Sequence, residues 1–126
     1  MSKEIKTALI VDDEDALREI ISEVLGFLDI RSIAAEDGLK AVELAKENKE
    51  DIDLFLIDLF MPNMSGEETY EKLNELLPER PVIFMSGYDQ DSNNITKNVS
   101  GQQHFLKKPF GIGELKDLVS SISSSS

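Results

Sequence analysis

Three short runs of apolar residues divide the chain, and none of them alternates with polar positions. They occupy residues 8–11 (ALIV), 54–57 (LFLI) and 82–85 (VIFM). Uninterrupted apolar runs of this length, bounded by charged residues or proline, are typical of strands buried on both faces. Two weaker and more polar segments, 30–35 and 103–106, predict strands at the edges of the same sheet. The runs therefore predict a parallel sheet with three central strands.

Amphipathic patterns with apolar residues three or four positions apart lie between these strands and predict helices. Their apolar positions fall within 17–28, 41–45, 69–77 and 115–122. Gly26 or Asp29 is expected to end the first helix, while Pro78 and Pro81 stop the third. Segment 91–99 predicts only a short helix because its serine, asparagine and threonine residues have poor helix propensity.

Strands and helices thus alternate along the whole chain as five βα units. Strict alternation predicts an α/β fold with a parallel sheet between two layers of helices and right-handed crossovers. We expect one domain over residues 1–122, because a chain of 126 residues leaves no room for a second. The four serines at 123–126 predict a tail or linker.

Composition narrows the range of functions. The chain carries 13 Lys+Arg and 25 Asp+Glu, and a net charge of −12 disfavours nonspecific binding to nucleic acid or anionic membranes. With no cysteine and one histidine, it has neither thiolate metal sites nor a mechanism that uses two imidazoles. No apolar run approaches the ~20 residues of a membrane span, and the N-terminus lacks a signal-peptide core. We expect a cytoplasmic protein with no membrane insertion and no direct nucleic acid binding.

Carboxylates, a hydroxyl and an ammonium group follow the predicted strands. Asp12 and Asp13 follow the first strand, Asp58 the third, Ser86 the fourth and Lys108 the fifth. Because the carboxyl ends of parallel strands meet at one edge of a sheet, we expect these side chains to converge. Neighbouring carboxylates repel one another unless a cation joins them, and oxygen ligands of this kind favour Mg²⁺. A carboxylate is also a nucleophile toward phosphorus, and nearby positive charge favours phosphoryl transfer.

Four motifs at these strand ends resemble the receiver domain of two-component response regulators, along nearly the whole chain. They are Val11-Asp12-Asp13-Glu14, Asp58-Leu59-Phe60-Met61-Pro62 with Gly66, Met85-Ser86-Gly87 and Lys108-Pro109-Phe110. Each motif alone occurs by chance in many proteins, whereas the four in this order are highly specific. The chain is similar both to single-domain receivers and to the receivers of hybrid sensor histidine kinases. The resemblance implies a three-layer, doubly wound (βα)5 sandwich that is flavodoxin-like, with strand order 2-1-3-4-5.

The resemblance also implies a phosphorylation site and its cofactor. Asp58 would accept a phosphoryl group from a phosphohistidine of a histidine kinase or a histidine phosphotransfer domain. Asp13, Asp58 and the backbone carbonyl of Phe60 would bind Mg²⁺ directly, and Asp12 would bind it through water. The chain would then be a signalling switch that catalyses only its own phosphorylation and dephosphorylation, not an enzyme with a separate substrate.

A conformational switch follows from the same resemblance. Ser86 would hydrogen-bond the transferred phosphoryl group, Lys108 would pair with it, and Phe105 would turn inward as Ser86 moves. The Lys108–Pro109 peptide bond is expected to be cis. The output surface would comprise the predicted fourth helix, the fifth strand and the last helix, where an unknown downstream protein would bind. The exposed face of the fourth helix could also support a phosphorylation-dependent homodimer.

Two bulky aromatic residues are expected to gate hydrolysis of the phosphorylated form. Phe60 lies two residues after Asp58, and Tyr88 lies two residues after Ser86. In receivers, these positions flank the path of the water that attacks the acyl phosphate. The two rings predict a longer-lived phosphorylated form than in receivers with small or acidic residues at these positions.

Other interpretations stay open at this point. Asp12 and Asp13 could simply cap the first helix. The chain could be a receiver-like docking module that never takes a phosphoryl group. It could also be a phosphatase with an aspartyl nucleophile, although Phe60 stands where such an enzyme needs a second acid after Asp58. A flavin-binding domain would need a small-residue phosphate loop after the first strand, and the sequence has none there.

Overall fold

A computed structural model of the chain describes residues 4–87 and 102–124, and these ranges contain one sheet and four helices. The elements follow in the order β1 (Thr7–Val11), α1 (Asp15–Phe27), β2 (Arg31–Ala35), α2 (Gly38–Glu47), β3 (Leu54–Asp58), α3 (Gly66–Leu76), β4 (Val82–Ser86), β5 (Gln103–Lys107) and α4 (Ile112–Ser124). All five predicted strands are confirmed. The helices α1, α2, α3 and α4 correspond to the helices predicted around 17–28, 41–45, 69–77 and 115–122. The helix predicted at 91–99 lies outside the described residues.

The five strands are parallel and lie in the order β2-β1-β3-β4-β5, which confirms the predicted doubly wound sandwich. The direction of winding reverses between β1 and β3, where Val11 pairs with Ile57. In open α/β sheets, the crevice beyond the carboxyl ends of the strands at such a reversal is where ligands bind. The topology therefore predicts a ligand site at the residues that follow β1 and β3.

Successive residues of a strand point to opposite faces of the sheet, so an uninterrupted apolar run places apolar side chains on both faces. Helices cover both of these faces. One core lies between the sheet and the helices α1 and α4, and the second lies between the sheet and the helices α2 and α3. The first core includes Ile10, Leu56, Met85, Leu25 and Val119. The second core includes Leu9, Phe55, Phe84, Ala41 and Tyr70. This two-sided burial is the physical reason that the central strands carry no polar alternation.

The sequence left Gly26 and Asp29 as possible ends of α1, and the structure selects Asp29. Asp29 adopts a left-handed backbone conformation with φ of 60°. Its N–H donates to the carbonyl of Gly26 at 3.1 Å, and the N–H of Ile30 donates to that of Leu25 at 2.9 Å. These two bonds form a Schellman motif. Asp29 therefore takes the position after the helix cap, and Gly26 lies inside the helix.

Helix lengths bear on two further predictions. α4 continues to Ser124, two residues beyond the predicted domain end at residue 122, and that boundary stays a prediction. Among the helices in residues 4–87 and 102–124, none is long and apolar enough to cross a membrane. The longest of these helices have 13 residues, and a span needs ~20.

Candidate functional site

The carboxyl ends of four strands bring five of the predicted site residues to one edge of the sheet. Asp12 and Asp13 follow β1, Asp58 and Ser86 end β3 and β4, and Lys108 follows β5. The side chains of Asp12, Asp58 and Ser86 are buried, whereas Asp13 is exposed to solvent. The sheet topology thus assembles these residues from positions spread over most of the chain, from Asp12 to Lys108.

Three carboxylates form the centre of this edge. One oxygen atom from each of Asp12, Asp13 and Asp58 lies within 4.8 Å of the other two. Backbone N–H groups orient two of them: the N–H of Glu14 donates to Asp12 Oδ1 at 2.8 Å, and that of Phe60 donates to Asp58 Oδ1 at 3.2 Å. Each of these carboxylates therefore keeps its second oxygen for another partner.

That partner is the ammonium group of Lys108. Its Nζ atom lies 3.0 Å from Asp12 Oδ2 and 3.2 Å from Asp58 Oδ2. Burial by itself lowers the pKa of Lys108, but its contacts with Asp12 and Asp58 outweigh that effect, and the net pKa is raised. Lys108 therefore stays charged at neutral pH and offsets one of the three carboxylate charges.

The environment of Asp58 disfavours its negative charge. Burial is the largest cause and the negative charge of Asp12 is the second, and together they raise the pKa of Asp58 to about 6. Lys108 and the N–H of Phe60 act in the opposite direction without cancelling the rise. A cation at this site would remove the cost of ionising Asp58, because opposite charge nearby favours the ionised form.

The donor set fits a divalent metal ion. Asp12 Oδ2 is buried and accepts no hydrogen bond from any group in the described parts of the chain, although it is ion-paired with Lys108. Together with Asp13 and Asp58, it offers hard oxygen ligands, which suit Mg²⁺. Asp12, Asp13 and Asp58 therefore form a group that could hold a metal, which supports the predicted cofactor. The role of the Phe60 carbonyl stays a prediction.

The ends of β4 and β5 are joined beside this cluster. The backbone carbonyl of Ser86 accepts a hydrogen bond of 2.7 Å from the N–H of Lys108. The Lys108–Pro109 peptide bond is cis, as predicted. Phe105 is half-buried, and its ring packs against that of Phe84 with centroids 5.8 Å apart. Phe105 thus lies on the face of the sheet that α2 and α3 cover.

The two aromatic residues predicted to gate hydrolysis are placed only in part. Phe60 lies in the loop between β3 and α3, next to the carboxylate cluster, and 55% of its surface is exposed. Tyr88 lies outside the described residues, so its position relative to Phe60 stays a prediction. The gating role of Phe60 also stays a prediction.

Glu14 is a neighbour of the site to which the sequence pattern assigned no separate role. Its Oε1 atom lies 3.3 Å from Lys108 Nζ, across 94 residues of sequence. Its only signal in the sequence is its place directly after Asp13 in the first motif. The contact depends on how α1 begins beside the end of β5, which a linear pattern does not specify.

The chain belongs to the response regulator receiver domain family, whose model matches residues 8–120. It is 37% identical over 111 residues to a cyclic di-GMP phosphodiesterase of Thermotoga maritima, covering 87% of this chain and 29% of that protein. It is 33% identical over 115 residues to the autoinducer 1 sensor kinase/phosphatase LuxN of Vibrio campbellii, covering 90% of this chain and 13% of LuxN. The chain thus spans less than a third of either relative.

Solved structures agree with this assignment. The crystal structure of the receiver domain of the hybrid histidine kinase CckA is 29% identical in sequence to this chain and matches it with a TM-score of 0.78. The match covers 94% of this chain and 99% of the CckA chain. The chain is therefore a receiver domain of two-component signalling. Receiver domains generally bind Mg²⁺ at an acidic pocket and interact with histidine kinases or phosphotransfer proteins.

Proposed function

We propose that this receiver domain is a phosphorylation-dependent switch that accepts a phosphoryl group on Asp58 from a phosphohistidine, with Mg²⁺ as cofactor. The donor would be a histidine kinase or a histidine phosphotransfer domain. The observation that carries the proposal is the position of the Asp58 carboxylate. It ends a buried strand, its Oδ2 lies 3.2 Å from Lys108 Nζ, and Asp12 and Asp13 extend the cluster.

The chemistry proposed at Asp58 is a phosphoryl transfer between two side chains. An oxygen of Asp58 forms a bond to phosphorus as the phosphorus–nitrogen bond of the phosphohistidine breaks, and its electron pair stays on the imidazole nitrogen. The product is an acyl phosphate on Asp58. The Lys108 ammonium would pair with an oxygen of this group, and the Ser86 hydroxyl would donate a hydrogen bond to another.

The metal would be held by residues already gathered at the sheet edge. Asp13, Asp58 and the carbonyl of Phe60 would be direct ligands, and Asp12 would act through water. When bound, Mg²⁺ supplies positive charge that offsets both the repulsion among the carboxylates and the charge of the phosphoryl group.

Signalling would follow from a shift between two conformations. Ser86 would move toward the phosphoryl group, and Phe105 would turn further inward from its half-buried position. Ser86 is buried at the end of β4, and Phe105 lies in the neighbouring strand β5, which pairs only with β4 in the described structure. The changed surface would include β5, α4 and segment 91–99, and a downstream protein would bind there.

The lifetime of the phosphorylated form is proposed to depend on Phe60. Its exposed ring beside the site would restrict the approach of water to the acyl phosphate. Phe60→Asn should therefore shorten that lifetime several-fold, measured as loss of the phosphoryl mass over time after removal of the donor. Phe27→Asn, at a more exposed aromatic residue at the opposite end of α1 from the site, is the control and should leave the lifetime unchanged. Equal lifetimes in all three proteins would contradict the gating role.

Intact mass spectrometry after incubation with acetyl phosphate tests the proposed function. The unsubstituted chain should gain one phosphoryl group only when Mg²⁺ is present, and Asp58→Asn should gain none. Asp51→Asn, at an exposed residue outside the cluster, should behave like the unsubstituted chain. A gain in Asp58→Asn would refute the assigned acceptor. No gain in any protein, with a histidine kinase or with the small donor, would favour the docking-module interpretation.

A further inference from the structure

Glu14 adds a third carboxylate to the surroundings of Lys108. The Nζ atom of Lys108 lies 3.0 Å from Asp12 Oδ2, 3.2 Å from Asp58 Oδ2 and 3.3 Å from Glu14 Oε1. An ammonium group has three N–H donors and no acceptor. Three anionic oxygens therefore already surround Lys108, and a phosphoryl oxygen that pairs with it must replace one of them.

The three carboxylates differ in the cost of losing Lys108. The Asp12 side chain is fully buried, so loss of the ammonium would leave a buried charge without its partner. The Asp58 side chain is 6% exposed and is itself the proposed acceptor. The Glu14 side chain is 62% exposed, so water can take the place of Lys108 at little cost. Glu14 is therefore the partner that Lys108 gives up most easily.

The backbone of Glu14 is held in place while its side chain extends into solvent. Its N–H donates to Asp12 Oδ1 at 2.8 Å, and its own side chain makes no capping hydrogen bond to the start of α1. Rotation of the Glu14 side chain away from Lys108 thus disturbs neither the carboxylate cluster nor the helix. The contact with Lys108 can be made and broken independently.

We propose that Glu14 is a positioning residue for Lys108. In the unphosphorylated state, Glu14 holds the ammonium group of Lys108, and on phosphorylation it releases that group to the phosphoryl group on Asp58. This inference rests on the proposed phosphorylation of Asp58. Glu14 competes with the phosphoryl group for Lys108, so it weakens the hold of the site on that group. Removing the Glu14 charge, with the size of the side chain kept, should strengthen that hold.

Binding of beryllofluoride, a tetrahedral analogue of a phosphoryl group, measures this competition. In the presence of Mg²⁺, Glu14→Gln should bind it about two- to fivefold more tightly than the unsubstituted chain, as expected for loss of one exposed ion pair. Fluorine NMR gives both affinities. Glu23→Gln removes the same charge from an exposed position inside α1 and should leave the affinity unchanged. High salt should reduce the difference in affinity between Glu14→Gln and the unsubstituted chain, because exposed charges are screened.

A metal-free measurement tests the contact itself. Glu14→Gln should change the unfolding equilibrium constant about two- to fivefold in the unsubstituted chain and not in a Lys108→Met background. A purely structural role of Glu14 would give the same change in both backgrounds, and that result would overturn the inference.

The outcomes separate this inference from the proposed function. Equal or weaker beryllofluoride binding by Glu14→Gln, in a chain that does bind the analogue, would overturn the role of Glu14 and leave the switch standing. An equal gain in affinity for Glu23→Gln would also overturn it, because the effect would then reflect net charge alone. Failure of the unsubstituted chain to bind the analogue would overturn both.

Discussion

Asp58→Asn should be more stable than the unsubstituted chain by about 2–3 kcal/mol near pH 8 when divalent ions are absent. The reason is that burial and the charge of Asp12 raise the pKa of Asp58 from its ordinary 3.8 to about 6. An ionised Asp58 therefore destabilises the metal-free fold, and a neutral amide of the same shape removes that cost. Urea unfolding of the two proteins with a chelator present measures the difference.

The pH dependence of this effect has a definite sign. Because the folded state holds the Asp58 proton more tightly than the unfolded state, the stability contributed by that proton is fully present below the unfolded pKa. It is lost as the pH rises through about 6. The advantage of Asp58→Asn should therefore narrow to less than about 1 kcal/mol near pH 4. A constant difference between pH 4 and pH 8 would show that the substitution acts through something other than this charge.

Metal addition provides the second arm of the same experiment. Mg²⁺ at a hundred times its dissociation constant should stabilise the unsubstituted chain by about 2.7 kcal/mol. It should stabilise Asp58→Asn less, because that protein lacks one of the three carboxylates. Asp51→Asn is the matched control, since it removes an exposed carboxylate and should respond to Mg²⁺ like the unsubstituted chain. An equal response of Asp58→Asn would argue against Asp58 as a metal ligand.

Gly66→Ala should destabilise the fold by about 2–4 kcal/mol, because its methyl group has no space. A Cβ atom at this position would lie 2.4 Å from the carbonyl oxygen of Asp58 and 2.6 Å from the Cα atom of Leu59. Both are backbone atoms, and the N–H of Gly66 already donates to the Leu59 carbonyl at 2.9 Å. Relief of the contact must move either the start of α3 or the end of β3.

The same displacement should reach the site. Because Asp58 is the last residue of β3, a shift of its backbone would move the carboxylate relative to Lys108. Phosphorylation by acetyl phosphate should slow by about one to two orders of magnitude, the loss typical of misplacement by about 1 Å. Urea unfolding and the mass assay test the two parts separately.

Gly26→Ala is the matched control for this substitution. Gly26 lies inside α1, where a Cβ atom would meet nothing within 4 Å. Alanine there should stabilise the chain by about 0.5–1 kcal/mol, because glycine is a poor helix former, and should leave phosphorylation unchanged. Equal stabilities of the Gly66 and Gly26 variants would contradict the close approach of α3 to β3.

The strands and the residues at their ends are determined by the sequence itself. Short uninterrupted apolar runs such as 54–57 and 82–85, bounded by charged residues or proline, are typical of strands with both faces covered. Parallel strands place their carboxyl ends together, so the positions of the acids and Lys108 after the strands predict that they lie at one edge of the sheet. These inferences succeed because the pattern is local and the topology has few alternatives.

Tertiary structure alone decided three other properties. The end of α1 at Asp29 and not at Gly26 depends on a Schellman motif that joins the helix to Ile30. The raised pKa of Asp58 depends on its burial and on its distance from Asp12. The contact between Glu14 and Lys108 spans 94 residues. Each is set by distances between side chains or backbone groups in the folded chain, and those distances follow from packing and register, which no local pattern of residues encodes.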